Sequence, residues 1–178
     1  MASMRDIKRR KESIQSTQRI TKAMKLVSTV KLQKAKTRAE SAKPYFQKMY
    51  DTVQSILSRS GNIEHPYLTS NGSKKKAVIV VTSNRGLAGG YNAGAFRKAA
   101  EAFSSADDDE SSGGYDIIEV IPIGRRGFER WNTLTKRSYG AEAFTVQECA
   151  ELCDDLCKRY LNDEFDRLLL VSTEYISV

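Results

Sequence analysis

The chain has 178 residues, 40% of them hydrophobic, and a formal net charge of +7. No run of 18 apolar residues occurs, so no segment is apolar enough to cross a membrane as a helix. One histidine, His65, and three cysteines offer too few ligands of the usual kind for zinc, and no Ser-His-Asp or Cys-His set stands out.

The first 59 residues contain no glycine and one proline, Pro44. They hold 15 Lys and Arg against four carboxylates (Asp6, Glu12, Glu40, Asp51), while the remainder of the chain is mildly acidic. Nothing breaks a helix over residues 4–58 except for a bend at Pro44, and a helix of that length spans roughly 80 Å. Ile7, Ile14, Ile20, Met24, Val27 and Leu32 make a thin apolar stripe that Tyr45, Met49, Val53 and Ile56 continue. Most of the circumference is polar or basic, which suits a coiled coil or a solvated shaft better than a core helix. Three readings of this arm stand at the level of composition: a solvated face, a rod on nucleic-acid phosphates, or a shaft inside an acidic protein partner.

Residues 60–76 read as a connector, punctuated by Gly61, Pro66, Asn71 and Gly72. Ala77–Thr82 is a β-branched run of the kind found in strands buried on both faces. A Gly-rich turn, Ser83–Gly90, and a helix over Asn92–Phe103 follow. The glycines fit neither G-x-G-x-x-G nor a P-loop, so a tight strand-to-helix turn explains them as well as a phosphate cradle does. Ser104–Gly114 is acidic and loop-like, with its carboxylates in a solvated setting rather than a metal site. Asp116–Ile123 reads as a second strand, Gly124–Gly127 as a charged turn, and Arg126–Trp131 as a short helix. Thr135–Tyr139 reads as a further strand. Thr145–Leu161 is an amphipathic helix with a capping box of Thr145 and Glu148. Its cysteines, Cys149, Cys153 and Cys157, fall on one stripe and are expected to be small apolar residues on a buried face, with a thiol sensor as the other reading. Arg167–Thr173 reads as another buried strand. The expected fold is α/β: a long N-terminal coiled-coil helix (1–59), the connector, and a Rossmann-like domain (77–178) with a mostly parallel sheet and flanking helices.

Four motifs in order carry a resemblance. Arg5–Gln18 with Ile20–Leu32 (ITKAMKLVSTVKL), Lys43–Phe46 with Glu64–Leu68, Val80–Asn92 (VVTSNRGLAGGYN) and Val171–Ser177 (VSTEYIS) are similar to segments of the gamma-subunit family of F-type ATP synthases. Asn84 stands where that family has Asp, and Ala88 where it commonly has Cys. The family continues past the point matching Val178 into a second long helix that pairs antiparallel with the first. The resemblance therefore implies an N-terminal portion whose coiled-coil partner is missing from the sequence.

What the resemblance implies for function is a central-stalk rotor that couples proton flow to ATP synthesis or hydrolysis without doing chemistry itself. The implied partners are three alpha and three beta subunits, an epsilon subunit and the membrane c-ring, with no nucleic acid and no cofactor or metal. Ile20, Thr21, Lys22, Ala23, Met24, Lys25 and Val27 on the arm, and Arg85, Gly86, Leu87, Gly89 and Gly90 in the turn, are the implied contacts with the stator. The charged N-terminus argues against a secretory signal, and the lack of a transit peptide and of a plastid-type cysteine pair leads to the expectation of a bacterial protein, peripheral to the cytoplasmic face of the plasma membrane.

Overall fold

The computed structural model describes residues 3–61, 63–104, 115–135 and 144–174. It resolves into two compact units, Met1–Ile63 and Glu64–Val178. The first is one helix, α1 (Met4–Arg59), 56 residues long and continuous through Pro44. Ser3 caps it, accepting from the Arg5 amide, while Asp6 reaches back to the Ser3 amide in a capping box. With no glycine in the run and arginine in the last turn, backbone entropy and the helix dipole both favour it. The hydroxyls of Thr17, Thr21, Thr29, Thr37, Ser41 and Thr52 each donate to the carbonyl four residues back. They are satisfied on the helix itself and ask nothing of a neighbour.

The second unit is a three-layer α/β fold. Strands β1 (Lys75–Val81), β2 (Asp116–Ile123) and β3 (Arg167–Val171) form a parallel sheet in the order β2-β1-β3. A register shift between Lys76 and Ala77 interrupts the β1–β2 ladder. Helices α2 (Tyr91–Ser104) and α3 (Arg125–Trp131) cover one face and α4 (Val146–Leu161) the other. Side-chain alternation along β1 explains the two cores. Ala77 packs with Ile121, Leu152, Leu156 and Phe165 under α4. Val78 and Val80 face the opposite way, with Val120, Ala99 and Trp131. Trp131 sits edge-on to Phe96 and Phe103, ring centroids 5.2 and 5.9 Å away.

The connector is tied to the sheet by one buried carboxylate. Asp166 accepts from the Ser70 hydroxyl (2.8 Å) and the Asn71 amide (3.0 Å), while Asn71 donates to the Phe165 carbonyl. On β2, Glu119 is buried and receives Arg159 of α4 at 2.7 Å. Burial would favour the neutral form of Arg159, but hydrogen bonds to Glu164 and Glu119 outweigh it and push its pKa up.

Three expectations need correction. The first strand begins at Lys75 and ends at Val81, so Lys76 lies inside the sheet; its ammonium is satisfied by the Ala102 carbonyl at 2.7 Å. The last strand ends at Val171 and is not buried on both faces: Leu168 and Leu170 are exposed, because among the described residues β3 lies at the edge of the sheet and α4 packs over β1 and β2. Cys149, Cys153 and Cys157 are exposed, because Leu152 and Leu156 take the inward face of α4 and leave the thiols on its flank. Of the strand expected over Thr135–Tyr139, Thr135 is outside any strand and the rest lies outside the described residues. The acidic loop also lies outside them, apart from Ser104, which ends α2.

Candidate functional site

Two surfaces gather the residues singled out above, one in each unit. On α1, Ile20, Thr21, Lys22, Ala23, Met24, Lys25 and Val27 cover about two turns, and none is buried. Ile20 and Met24 are four residues apart, as are Ala23 and Val27, so these four share one apolar face. Ile20 is 59% exposed, Met24 51% and Val27 59%. Thr21 and Lys25 flank that face. An apolar stripe left this open along a whole helix represents unfavourable hydration that a partner would relieve.

The second surface is the loop from Ser83 to Gly90 at the carboxyl end of β1. Its base is a hydrogen-bonded hub at Thr82. The Thr82 amide donates to the Ile123 carbonyl at 2.7 Å, and its hydroxyl accepts from the Gly127 amide at 2.9 Å. Gly124 passes so close that a Cβ there would fall 2.3 Å from the Thr82 carbonyl oxygen, and its φ of +108° suits glycine. Above the hub, Asn92 of α2 closes the turn. Its side-chain oxygen accepts from the Ser83 amide (3.1 Å), its amide nitrogen donates to the Ser83 hydroxyl (2.8 Å), and that hydroxyl donates to the Arg85 carbonyl (2.7 Å). Asn84 supplies the missing cap of α3, accepting from the Arg125 amide at 3.0 Å, while Arg126 donates its amide to the Ser83 carbonyl at 3.0 Å. An Asp at position 84 would accept the same bond, which explains why an Asn there leaves the loop intact.

This wiring bears on the phosphate reading of the turn. The amides of Ser83, Arg125 and Arg126 are already engaged within the chain, so they are not held open for an anion. The charged turn after β2 stands beside the loop. Arg125 and Arg126 both bind Glu129, at 2.9 Å each, and the hydrogen bond from Arg125 leads in holding the Glu129 carboxyl below its ordinary value of 4.5.

A third feature was not anticipated. The cysteine flank of α4 borders a groove of about 480 Å³, open to solvent and lined by apolar side chains including Tyr67, Ile79, Cys153, Phe165, Leu168 and Leu170. Desolvation, then the neighbouring Cys149, pushes the Cys153 thiol above its ordinary 9.0, which makes it a poor nucleophile at neutral pH. No group of His, Cys, Asp and Glu among the described residues could hold a metal ion. None of the described helices is long and apolar enough to cross a membrane.

Fold and surfaces together define a class: a helical rod with open apolar and basic faces joined to a parallel α/β unit that displays a braced loop. The ATP synthase family profile matches residues 3–178, and the chain belongs to that family. It is similar to the ATP synthase gamma chain of Lachnoclostridium phytofermentans, with 58% identity over 78% of this chain and 44% of the relative. The ATP synthase gamma chain of Trichlorobacter lovleyi is 36% identical over 100% of this chain and 62% of its own length. That of Alkaliphilus metalliredigens is 37% identical over 98% and 59%. The chain thus spans between 44% and 62% of the length of these relatives.

Proposed function

We propose that the chain forms the N-terminal part of the central-stalk rotor of a proton-translocating ATP synthase, with α1 as half of the axle. The observation that carries this reading is a 56-residue helix without a single buried residue, apolar along one side and basic around much of the rest. Such a helix has no fold-internal reason to be so long, and its apolar stripe has room for a second, antiparallel helix.

In this reading a ring in the membrane turns the shaft inside three alpha and three beta subunits. The epsilon subunit and the c-ring adjoin the α/β unit, on the cytoplasmic face of a bacterial membrane. The shaft is asymmetric: Ile20, Met24 and Val27 lie on one side and Lys22 and Lys25 elsewhere around the helix. Each catalytic beta subunit therefore meets a different face in turn. A face that contacts one conformation better than another shifts that subunit's population, and with it the affinity for nucleotide. The contacts must break at every step. Exposed ion pairs are worth about 0–1 kcal/mol each, which lets a basic surface keep register without locking at one angle. The chain guides and transmits, and catalysis and nucleotide binding fall to its partners.

The test is isolation through an affinity tag on this chain in its native source. The reading expects recovery of alpha and beta subunits, three of each per tagged chain, with ATP hydrolysis. Recovery without them, or with nucleic acid as the main companion, would refute it.

A further inference from the structure

The second half of α1 carries a wider apolar face than a solvated shaft calls for. From Phe46 its apolar positions run i, i+3, i+4, i+7, i+10 and i+11: Phe46, Met49, Tyr50, Val53, Ile56 and Leu57. That spacing gathers them on one face, while Lys48, Asp51, Ser55 and Ser58 fall opposite. The six are between 42% and 60% exposed. Phe46 stacks with Tyr50, ring centroids 6.4 Å apart, and the Tyr50 hydroxyl accepts from the Gln54 side-chain amide at 2.9 Å. The Tyr50 ring thus belongs to the apolar face and its polar end to the border, the division of roles that tyrosine takes at a membrane–water boundary.

Charge is sorted by the same face. At 3.6 residues per turn, Arg10, Lys25, Lys31 and Arg38 come round to within about a quarter-turn of it, and all four are exposed. Three of the four carboxylates of α1, Glu12, Glu40 and Asp51, come round to the far side. The fourth, Asp6, is engaged in capping the helix. One side of the rod is therefore both apolar and cationic, and the acidic residues are turned away from it or tied into the cap.

We propose that α1, in the chain outside its assembly, lies flat on an anionic phospholipid surface, with the Phe46–Leu57 face inserted at the boundary of headgroups and acyl chains and the cations of the same side on lipid phosphates. Binding of such a helix grows with its buried apolar area and with its attraction to anionic lipid, and here one side supplies both. Duplex nucleic acid is the weaker fit, because its phosphates would satisfy the cations and leave the aromatic and aliphatic side chains in water. A second copy is weaker again, because it would set two cationic sides against each other. The same face cannot take lipid and a second helix at once. Lipid binding and the axle role therefore exclude each other, and this inference stands or falls apart from the rotor reading.

The test uses the full chain with vesicles of phosphatidylcholine, with and without phosphatidylglycerol. Flotation should show partitioning into the anionic vesicles about tenfold or more above that into the neutral ones. The Phe46→Trp chain should gain emission at shorter wavelength with the anionic vesicles, over the constant signal of Trp131. Phe46→Asp combined with Val53→Asp should lower partitioning about tenfold or more, and Arg10→Gln, Lys25→Gln, Lys31→Gln and Arg38→Gln together about a hundredfold or more. Each variant should keep the parent's Trp131 emission, because the changes leave the α/β unit untouched. Equal partitioning into neutral and anionic vesicles, parent-like partitioning of either multiple variant, or an unshifted emission from the Phe46→Trp chain would overturn the proposal. So would tighter binding to duplex DNA than to anionic vesicles at equal phosphate and salt. Failure of the chain to co-purify with alpha and beta subunits would bear on the rotor reading alone.

Discussion

Replacing Gly124 with alanine tests whether the junction beneath the loop is set by close backbone approach. The new Cβ would fall 2.3 Å from the Thr82 carbonyl oxygen and 2.7 Å from its hydroxyl oxygen, and neither atom is the free end of a flexible chain. Thr82 cannot retreat without loosening its bonds to Ile123 and Gly127. Backbone strain of this kind is of order 1–3 kcal/mol and overpacking adds about 1–3, so a loss of about 4 kcal/mol is expected. Gly89→Ala is the matched control. It also has positive φ, +55°, but no atom within 4 Å of the added Cβ, so its cost should stay near the ~1–2 kcal/mol of a left-handed L-residue.

The assay is urea unfolding of the whole chain followed by tryptophan fluorescence. Trp131 is the only tryptophan and packs between Phe96 and Phe103, so its signal reports the α/β unit and is blind to melting of α1. Far-ultraviolet circular dichroism, dominated by the long helix, would follow the other unit. If Gly124→Ala costs no more than Gly89→Ala, the contact with Thr82 does not govern this junction and the reasoning fails.

Glu119→Ala leaves Arg159 with Glu164 and Asp155 but without its buried partner, and should cost about 3 kcal/mol in the same fluorescence assay; a cost under 1 kcal/mol would show the pair to be dispensable. Alkylation of Cys153 by iodoacetamide should be slower at pH 8 than that of a free thiol, with the midpoint of its pH–rate profile above 9.0, because the raised pKa keeps the thiol protonated to higher pH; mass spectrometry of the labelled peptide would read this, and a midpoint below 9.0 would contradict it. Met24→Lys places a charge in the exposed apolar face and should reduce protons pumped per ATP hydrolysed in the reconstituted complex; an unchanged ratio would argue that this face does not meet the stator.

Much of this fold is legible in the sequence because its signals are local. The absence of glycine before Gly61 and the polar circumference identify α1, and the structure adds only one residue to its expected end. Thr145 and Glu148 mark the start of α4 through a capping box that the structure contains. The β-branched run at Ala77–Val81 identifies the central strand.

What escaped depends on partners far along the chain. Glu119 interrupts the apolar run of β2 after Asp116, and only α4, forty residues on, supplies the arginine that makes its burial tolerable. Asp166 looks like an ordinary charged residue beside a strand, yet it fastens the connector almost a hundred residues earlier. The cysteine stripe reads as buried in the sequence because periodicity gives the direction of an apolar face but not the width of the sheet available to cover it. Among the site residues, Leu87 belongs to a recognisable motif, but its exposure and positive φ belong to the folded loop and are invisible in the motif itself.

The central claim is that α1 turns within its partners, and a reversible lock tests it most directly. In a complex whose chain has Cys149, Cys153 and Cys157 replaced by serine, a cysteine at position 24 is oxidised to a disulfide with a cysteine introduced in the facing beta subunit. The account predicts that ATP hydrolysis stops as the cross-link forms and returns when it is reduced. Hydrolysis that continues at its full rate with the cross-link complete would contradict it.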